Sequence, residues 1–525
     1  MGGELRRRAV QGAGITVFSQ GVVFAIQIVA TIVLARLLAP SDFGVVTMVT
    51  TFSLLLMSFG LNGYTEAVIQ REHLNHRLAS NLFWINVGVG ILFALVFSAA
   101  GSALAKFYND PRVAHAAVGI SLTIFFTNFS VIHLALLKRA LLFSATSANE
   151  VLAGILSVVV MIPLAWAGYG YWALVAGAVA RPLFQSIGAF YFCRWMPGMP
   201  GRVNGTAAVV RFALHVYGRF TVNYCDRNMD NLLVGWRFGS ASLGLYKKAY
   251  DLFVLPANQL LMPVQEVALS TLSRLDSQSS QYRRYFLSGL SVLAFIGMAM
   301  GAILTLEGKD LIRLLLGPRW DASARIFIFF GPGIGIMLIY HTIGLLHLSL
   351  GKADRWFRWV LVEFTVTGLL FVLGLRWGPS GVAGAWTVSF WILFIPAFWY
   401  AGKPINFGVA PMLSTIWKYV LASLTAGLAT VAIIHEFSSL AMAQGIQGVL
   451  LRIVTISLMF LVLYLGAVII LHGGPGQLYS FAKLALEILP PARNRNQDSS
   501  PEASEPDTGI GVETSVEVPE NLRQR

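Results

Sequence analysis

Apolar runs of eighteen residues or more recur along this chain from near its start to about residue 471. A run of that length crosses the hydrocarbon core of a bilayer as a helix. No other feature constrains the fold as tightly. Composition agrees with it: of 525 residues, 56% are hydrophobic and only 12% are charged, about half the charged share of a soluble domain. Mean hydropathy is +0.68. With lipid as the solvent, the polar positions inside spans become the informative ones.

Spans are predicted at 14–35, 43–62, 81–105, 113–137, 147–167, 171–193, 212–236, 248–270, 286–306, 324–350, 357–375, 381–401, 413–435 and 448–471. That makes about fourteen transmembrane helices in an all-α polytopic protein. "ELRRR" precedes an apolar stretch longer than a signal-peptide core, so the first span is expected to be retained. The short loops after even-numbered spans are basic: Arg71 and Arg77, Lys138 and Arg139, Arg194 and Arg202, Arg274, Arg283 and Arg284, Lys352 and Arg355. The positive-inside bias then puts both termini in the cytoplasm. Lys309, Arg313 and Arg319 go against that bias. The net charge of +13 is scattered among these loops, which argues against nucleic-acid binding. From Arg493 onward four Arg face seven Asp and Glu, so the membrane part is more basic still, at +16. Cys193 and Cys225 form no metal or disulfide pattern and read as small fillers.

A repeat divides the chain. "LARLLAPSDFGVV" (Leu34–Val46) matches "VGWRFGSASLGLY" (Val234–Tyr246), with Gly44 and Gly244 in register. "NDPRVAHAA" returns as "LGPRWDASA", and "GYGYWALVAGAVA" as "GPSGVAGAWTVSF". The order is the same in both halves. The expected organisation is a six-helix bundle at 1–200, a pseudo-symmetric second at 201–405, a central cavity between them, an extra helix pair at 406–475 and a disordered cytoplasmic tail at 476–525.

The seventh span is the anomaly. "YGRFTVNYCDRNMDNLLVGW" (Tyr217–Trp236) would fail a hydropathy window, yet the loop charges require it to cross. On a helix, Arg219, Asn223, Asp226 and Asp230 share a stripe about 60° wide, with Arg227 beside it. Each such charge facing lipid would cost roughly 2.5–3.5 kcal/mol, so the stripe must face a partner or water. The repeat puts uncharged Ser19, Ile26, Gln27 and Ala30 at the corresponding places. Charge in one half alone points to a polar ligand or ion. Interhelical ion pairs and a surface-lying helix are the rival accounts.

Other features weigh less. His133, His341 and His347 have no ligand spacing and read as hydrogen-bonded core residues; no metal site is expected. "GPGIG" (Gly331–Gly335) lacks the residues of a phosphate loop and is expected to break or kink the tenth helix. No Walker motif and no Ser/His/Asp grouping is present, so no catalytic residue and no enzyme activity is expected.

"YCDRNMDNLLVGWRFGSASLGLYKKAYDLFVLPANQLLMPVQEVALSTLSRL" (Tyr224–Leu275) resembles the core signature of the bacterial polysaccharide transporter family, which includes Wzx-type flippases. "ARLLAPSDFG", "NLFWINV" and "FYNDPRV" fit it too. The resemblance covers residues 10–400 and implies membership of the superfamily of multidrug exporters and lipid-linked oligosaccharide flippases. It implies two bundles rocking about a cavity in the bacterial inner membrane. The implied substrate is an oligosaccharide on polyprenyl diphosphate, moved from the cytoplasmic to the periplasmic leaflet for exopolysaccharide or lipopolysaccharide synthesis. Arg219, Arg227, Lys247, Lys248 and Asn223 are then the candidates for head-group contact, since Arg suits a diphosphate. Asp226 and Asp230 are candidates for pairing with those cations in the empty site, or for carrying a coupling H⁺ or Na⁺. Tyr224, Tyr246 and Tyr250 are candidates for stacking on sugars. No other cofactor is expected. Expected partners are the lipid-linked oligosaccharide, membrane lipids, and polymerase and chain-length proteins. The alternatives are a multidrug exporter of the same superfamily, a membrane enzyme, or a scaffold of polysaccharide synthesis.

Overall fold

The computed structural model describes residues 2–59, 65–70, 74–201, 206–436 and 445–488. Its helices are α1 (Gly2–Leu37), α2 (Pro40–Phe59), α3 (Thr65–Gln70), α4 (His76–Tyr108), α5 (Arg112–Arg139), α6 (Phe143–Trp166), α7 (Tyr171–Cys193) and α8 (Thr206–Leu272). They continue as α9 (Ser280–Leu315), α10 (Asp321–Tyr340), α11 (Ile343–Ser349), α12 (Ala353–Gly374), α13 (Gly378–Gly402), α14 (Ala410–Glu436), α15 (Gly445–His472) and α16 (Gly476–Ile488). Among the described residues, eleven helical stretches are long and apolar enough to cross a membrane. One of them, Ala353–Ile405, holds both α12 and α13. α8 fails the hydropathy test but breaks into two arms at Gly239, whose φ of 78° and ψ of 179° suit glycine alone. The architecture is therefore compatible with fourteen crossings.

Local chemistry sets the helix ends. Asn75 caps α4, its Oδ1 accepting from Leu78 N at 2.8 Å, and Asn109 closes the same helix in the left-handed region. Pro40 opens α2, where its missing N–H costs nothing. The Asp42 carboxylate, one turn in, accepts from Ala39 N at 3.0 Å. Large side chains such as Leu369 and Val462 stay exposed on the outer faces, which is the pattern expected where lipid is the neighbour.

α1, α2 and α4–α7 pack into one bundle, and α8–α13 into a second; α14 and α15 lie against α9. The anomalous N-terminal arm of α8 (206–238) packs against the first bundle. It runs antiparallel along the whole of α2: Tyr217 Oη donates to Leu55 O at 3.1 Å and Tyr224 Oη to Thr51 O at 2.9 Å. Further along, Gly235 lies beside Met48, and Ser240 beside Gly44. With 1.5 Å of rise per residue, an arm of this length is ample to cross the bilayer.

Where the bundles meet, the repeat becomes a contact. A Cβ on Gly44 would lie 1.7 Å from Ser240 O, and one on Gly244 would lie 1.8 Å from Pro40 O. A shift of 200 residues carries Pro40 to Ser240 and Gly44 to Gly244, so the two contacts are images of each other, as across a two-fold axis. The same end of the molecule is stitched further. Trp320 Nε1 donates to Ala35 O at 2.8 Å, and Arg36 Nη2 to Leu314 O at 2.8 Å. Asp110 accepts from Arg112 at 2.8 Å and from Ser240 at 3.1 Å.

Two expectations are corrected. "GPGIG" does not break α10, which continues through Pro332 to Tyr340; its glycines let α10 press against Thr305, Thr387 and Gly297. The break comes later, at His341–Thr342. The expected tail from residue 476 begins instead with α16. Gln477 Nε2 donates to Ser291 Oγ at 3.2 Å, and the ring of Phe481 packs 5.0 Å from that of Phe295. Residues beyond 488 lie outside the described residues.

The reciprocal glycine contact predicts that Gly44→Ala or Gly244→Ala will destabilise the protein by about 1–3 kcal/mol, because a backbone atom cannot step aside as a side chain can. The double variant should lose less than the sum, since both open one contact; thermal unfolding in detergent measures this. At Asp110, burial alone would raise the carboxyl, but the hydrogen bonds and charge of Arg112 outweigh it and hold the group below the usual carboxylate range. Its contribution is thus present above the unfolded value and lost as pH falls through the lowered folded value. Asp110→Asn should lower the unfolding temperature at pH 7, with the gap to the parent closing in strong acid.

Candidate functional site

α8 feeds two cavities from opposite sides. The first, of about 110 Å³, lies inside the second bundle. Asn223, Arg227 and Asp230 reach it from the N-terminal arm, and Tyr250 from the C-terminal arm. Asn223, Arg227 and Asp230 fall within about 60° on the helix. Opposite them stand His341, Glu363 of α12, and Trp386 of α13. The second cavity, of about 340 Å³, lies in the first bundle among α1, α2, α6 and α7, and the C-terminal arm of α8 closes one side of it. Lys247, Lys248 and Asp251 enter it from α8; Gln27, Thr47 and Arg181 come from α1, α2 and α7.

Asp230 is only 3% exposed. Its Oδ2 accepts from Tyr246 Oη at 2.8 Å and its Oδ1 from Asn231 N at 2.7 Å. The carboxylate is thus held by two neutral donors and makes no direct pair with Arg227 or Lys247. Arg227 is exposed to the cavity and makes no hydrogen bond or ion pair among the described residues. Lys247 pairs instead with Asp251, Nζ to Oδ1 at 2.7 Å, one turn along its own helix. Lys248 Nζ sits 4.4 Å from the centre of the Phe43 ring, across the gap between bundles.

The expected pairing of Asp230 with neighbouring cations in the empty site is therefore not what the structure has. Tyr246 claims that carboxylate, because the two arms of α8 lie side by side after the break at Gly239. Tyr246 itself is fully buried, its ring 5.4 Å from that of Phe330, with no face free for a sugar in this conformation. Tyr224 stacks on Phe220 at 5.7 Å and ties α8 to α2. Of the three, Tyr250 lines the first cavity. The side chains of Arg219 and Asp226 lie outside the described residues. The candidate cations are thus split, with Arg227 facing one cavity and Lys247 and Lys248 the other.

Three lining residues escaped the sequence reading. Glu363 is the one acid in the span predicted at 357–375, and Arg181 the one charged residue in the span at 171–193. Isolated charge in an apolar run was the available signal. His341, expected as an ordinary core histidine, stands at the break after α10 and lines the first cavity. His133 matches the expectation, its Nε2 meeting Trp195 O at 3.1 Å, whereas His347 is buried with neither ring nitrogen hydrogen-bonded.

Chemically, the first cavity offers a carboxylate pair, one guanidinium and aromatic walls. The second offers lysines and an arginine in a larger, two-sided space. If Tyr246 is what holds Asp230, Tyr246→Phe should cost about 1–3 kcal/mol by leaving a buried acceptor short of a donor. Thermal unfolding checks this, and a stability equal to the parent's would show that the bond carries no load.

Comparison with known proteins agrees with this architecture. A lipopolysaccharide biosynthesis protein, WzxC of Escherichia coli (strain K12), is 24% identical over 412 residues, covering 77% of this chain and 82% of its own. The teichuronic acid biosynthesis protein TuaB of Bacillus subtilis (strain 168) is 23% identical over 386 residues, covering 72% of this chain and 78% of its own. Among solved structures, the lipid II flippase MurJ in its inward closed conformation shares the fold with a TM-score of 0.69 at 14% identity, covering 86% of this chain and 98% of its own. The profile of the family described as polysaccharide biosynthesis protein matches residues 33–325, more than half of the sequence. This multi-pass membrane chain belongs to that family.

Proposed function

We propose that the protein is a flippase that moves a polyprenyl-diphosphate-linked oligosaccharide from the cytoplasmic to the periplasmic leaflet of the bacterial inner membrane. One observation carries the reading: Lys247 and Lys248 of α8 and Arg181 of α7 line a single space where α8 meets the first bundle, and α8 is locked to that bundle at one end by Gly44 and Gly244. A diphosphate cannot enter hydrocarbon bare. A cationic cavity that opens first to one face and then to the other lowers that barrier, and the lipid tail remains in the bilayer. In this reading the locked end is periplasmic, both termini are cytoplasmic, and Lys247 and Lys248 meet the phosphates. Arg227, Asn223 and Arg219 receive the adjoining head group, and Tyr250 is the stacking ring.

Asp230, with Asp226, is assigned to a coupling H⁺ or Na⁺. Occupation of Asp230 bears on the Tyr246 bond that joins the two arms of α8. The partners are the lipid substrate, the surrounding bilayer, and the polymerase and chain-length proteins that would consume the product. A second reading rests on the first cavity, where Asp230 and Glu363 among Trp and Tyr rings suit an organic cation; that reading is export of small molecules.

Proteoliposomes carrying a labelled polyprenyl-diphosphate oligosaccharide separate the two. Lys247→Ala with Lys248→Ala should cut flipping at least about tenfold, the loss expected for charge-assisted contacts worth 1.5–3 kcal/mol. Replacement of both lysines by Arg should retain it. Asp230→Asn should abolish the response to an imposed H⁺ or Na⁺ gradient. Flipping that persists without Lys247 and Lys248, beside uptake of a cationic dye that requires Glu363, would favour the exporter.

A further inference from the structure

Outside both cavities lies a carboxylate that the transport reading does not use. Glu307, on α9, is 2% exposed, and neither of its carboxylate oxygens has a hydrogen-bond partner. Asp310, one turn on and on the same face, takes both donors of the Arg452 fork from α15: Nε meets Oδ2 at 2.5 Å and Nη2 meets Oδ1. The Arg452 and Asp310 side chains are 20% and 15% exposed. Asp310 and Arg452 are also the charged groups that act on Glu307; none from α8, α10 or α14 does so among the described residues. The neighbours on the α10 side are the rings and chains of Phe327 and Ile328 against Gly308.

Two carboxylates therefore share one guanidinium, and one of them has no bonds. An ionised group in that position is uncompensated charge in a low-dielectric place. No group of three His, Cys, Asp or Glu able to hold a metal exists among the described residues, and sodium, which backbone carbonyls can also hold, is told apart by the experiment below. A proton answers the need, since it removes the charge and needs no ligand shell. We propose that Glu307 is a proton-binding site built jointly by α9 and α15, separate from Asp230. With the proton on Glu307, Arg452 rests on Asp310. When the proton leaves to water, the guanidinium is drawn towards the newly charged Glu307, and the seating of α15 on α9 changes. The C-terminal helix pair thereby gains a role as a protonation-dependent attachment to the second bundle.

Infrared spectroscopy on the full-length protein in nanodiscs tests this without any transport assay. At pH 7, subtracting Glu307→Gln from the parent should leave the carbonyl stretch of one protonated carboxylic acid, and that band should shift in D₂O. Glu307→Met gives the same subtraction should the Gln variant fold poorly. In Asp310→Asn, which frees Arg452 for Glu307, the protonated band should be lost. A difference spectrum holding only carboxylate bands overturns the proposal, as does a band that changes with sodium at constant pH. Persistence of the protonated band in Asp310→Asn overturns the joint character of the site.

Discussion

Two helices, α2 and α8, come so close that only hydrogen fits between them at Gly44 and Gly244, and the rest of the molecule is arranged around that approach. Side chains there would hold the bundles apart. Without them, Pro40 and Ser240 carbonyls lie against the partner glycines, and the surrounding tryptophan, arginine and aspartate bonds can form. In a bilayer no hydrophobic force draws helix to helix, so close packing and hydrogen bonds must do it. A small-residue contact reinforced by polar stitching meets both needs.

Below that contact, α8 turns a sequence problem into a functional layout. Its N-terminal arm is too polar for lipid and has α2 on one side and α12 on another, where Met229 lies against Gly368. Its C-terminal arm turns Tyr246 and Tyr250 into the second bundle, and Lys247, Lys248 and Asp251 towards the first. Neighbouring residues on one helix thus serve different chambers. The bond from Tyr246 to Asp230 connects the two arms, and Lys247 and Lys248 follow Tyr246 directly in the chain.

Much of the fold was legible because the bilayer imposes one length on every crossing and the repeat gave the pairing of halves. The register of Gly44 with Gly244 came from sequence alone, but that the two residues meet their counterparts across an axis required coordinates. The site was less legible. A helical wheel puts Arg227 near Asp230 but cannot say that Tyr246, sixteen residues on, takes the carboxylate. That bond depends on the backbone reversal at Gly239, a tertiary fact. Glu363 and Arg181 could have been found as solitary charges in apolar spans. GPGIG does not break its helix, because glycine serves close approach as well as breaks.

The break at Gly239 has a mechanical consequence. One arm of α8 is laid along α2 for its full length, while the other is embedded among α10 and α13. Gly239 is the backbone joint between those arms, which the Tyr246–Asp230 bond also links. A side chain at Gly239 would strain that joint, whose φ of 78° and ψ of 179° suit glycine, and would leave the helical geometry of each arm untouched.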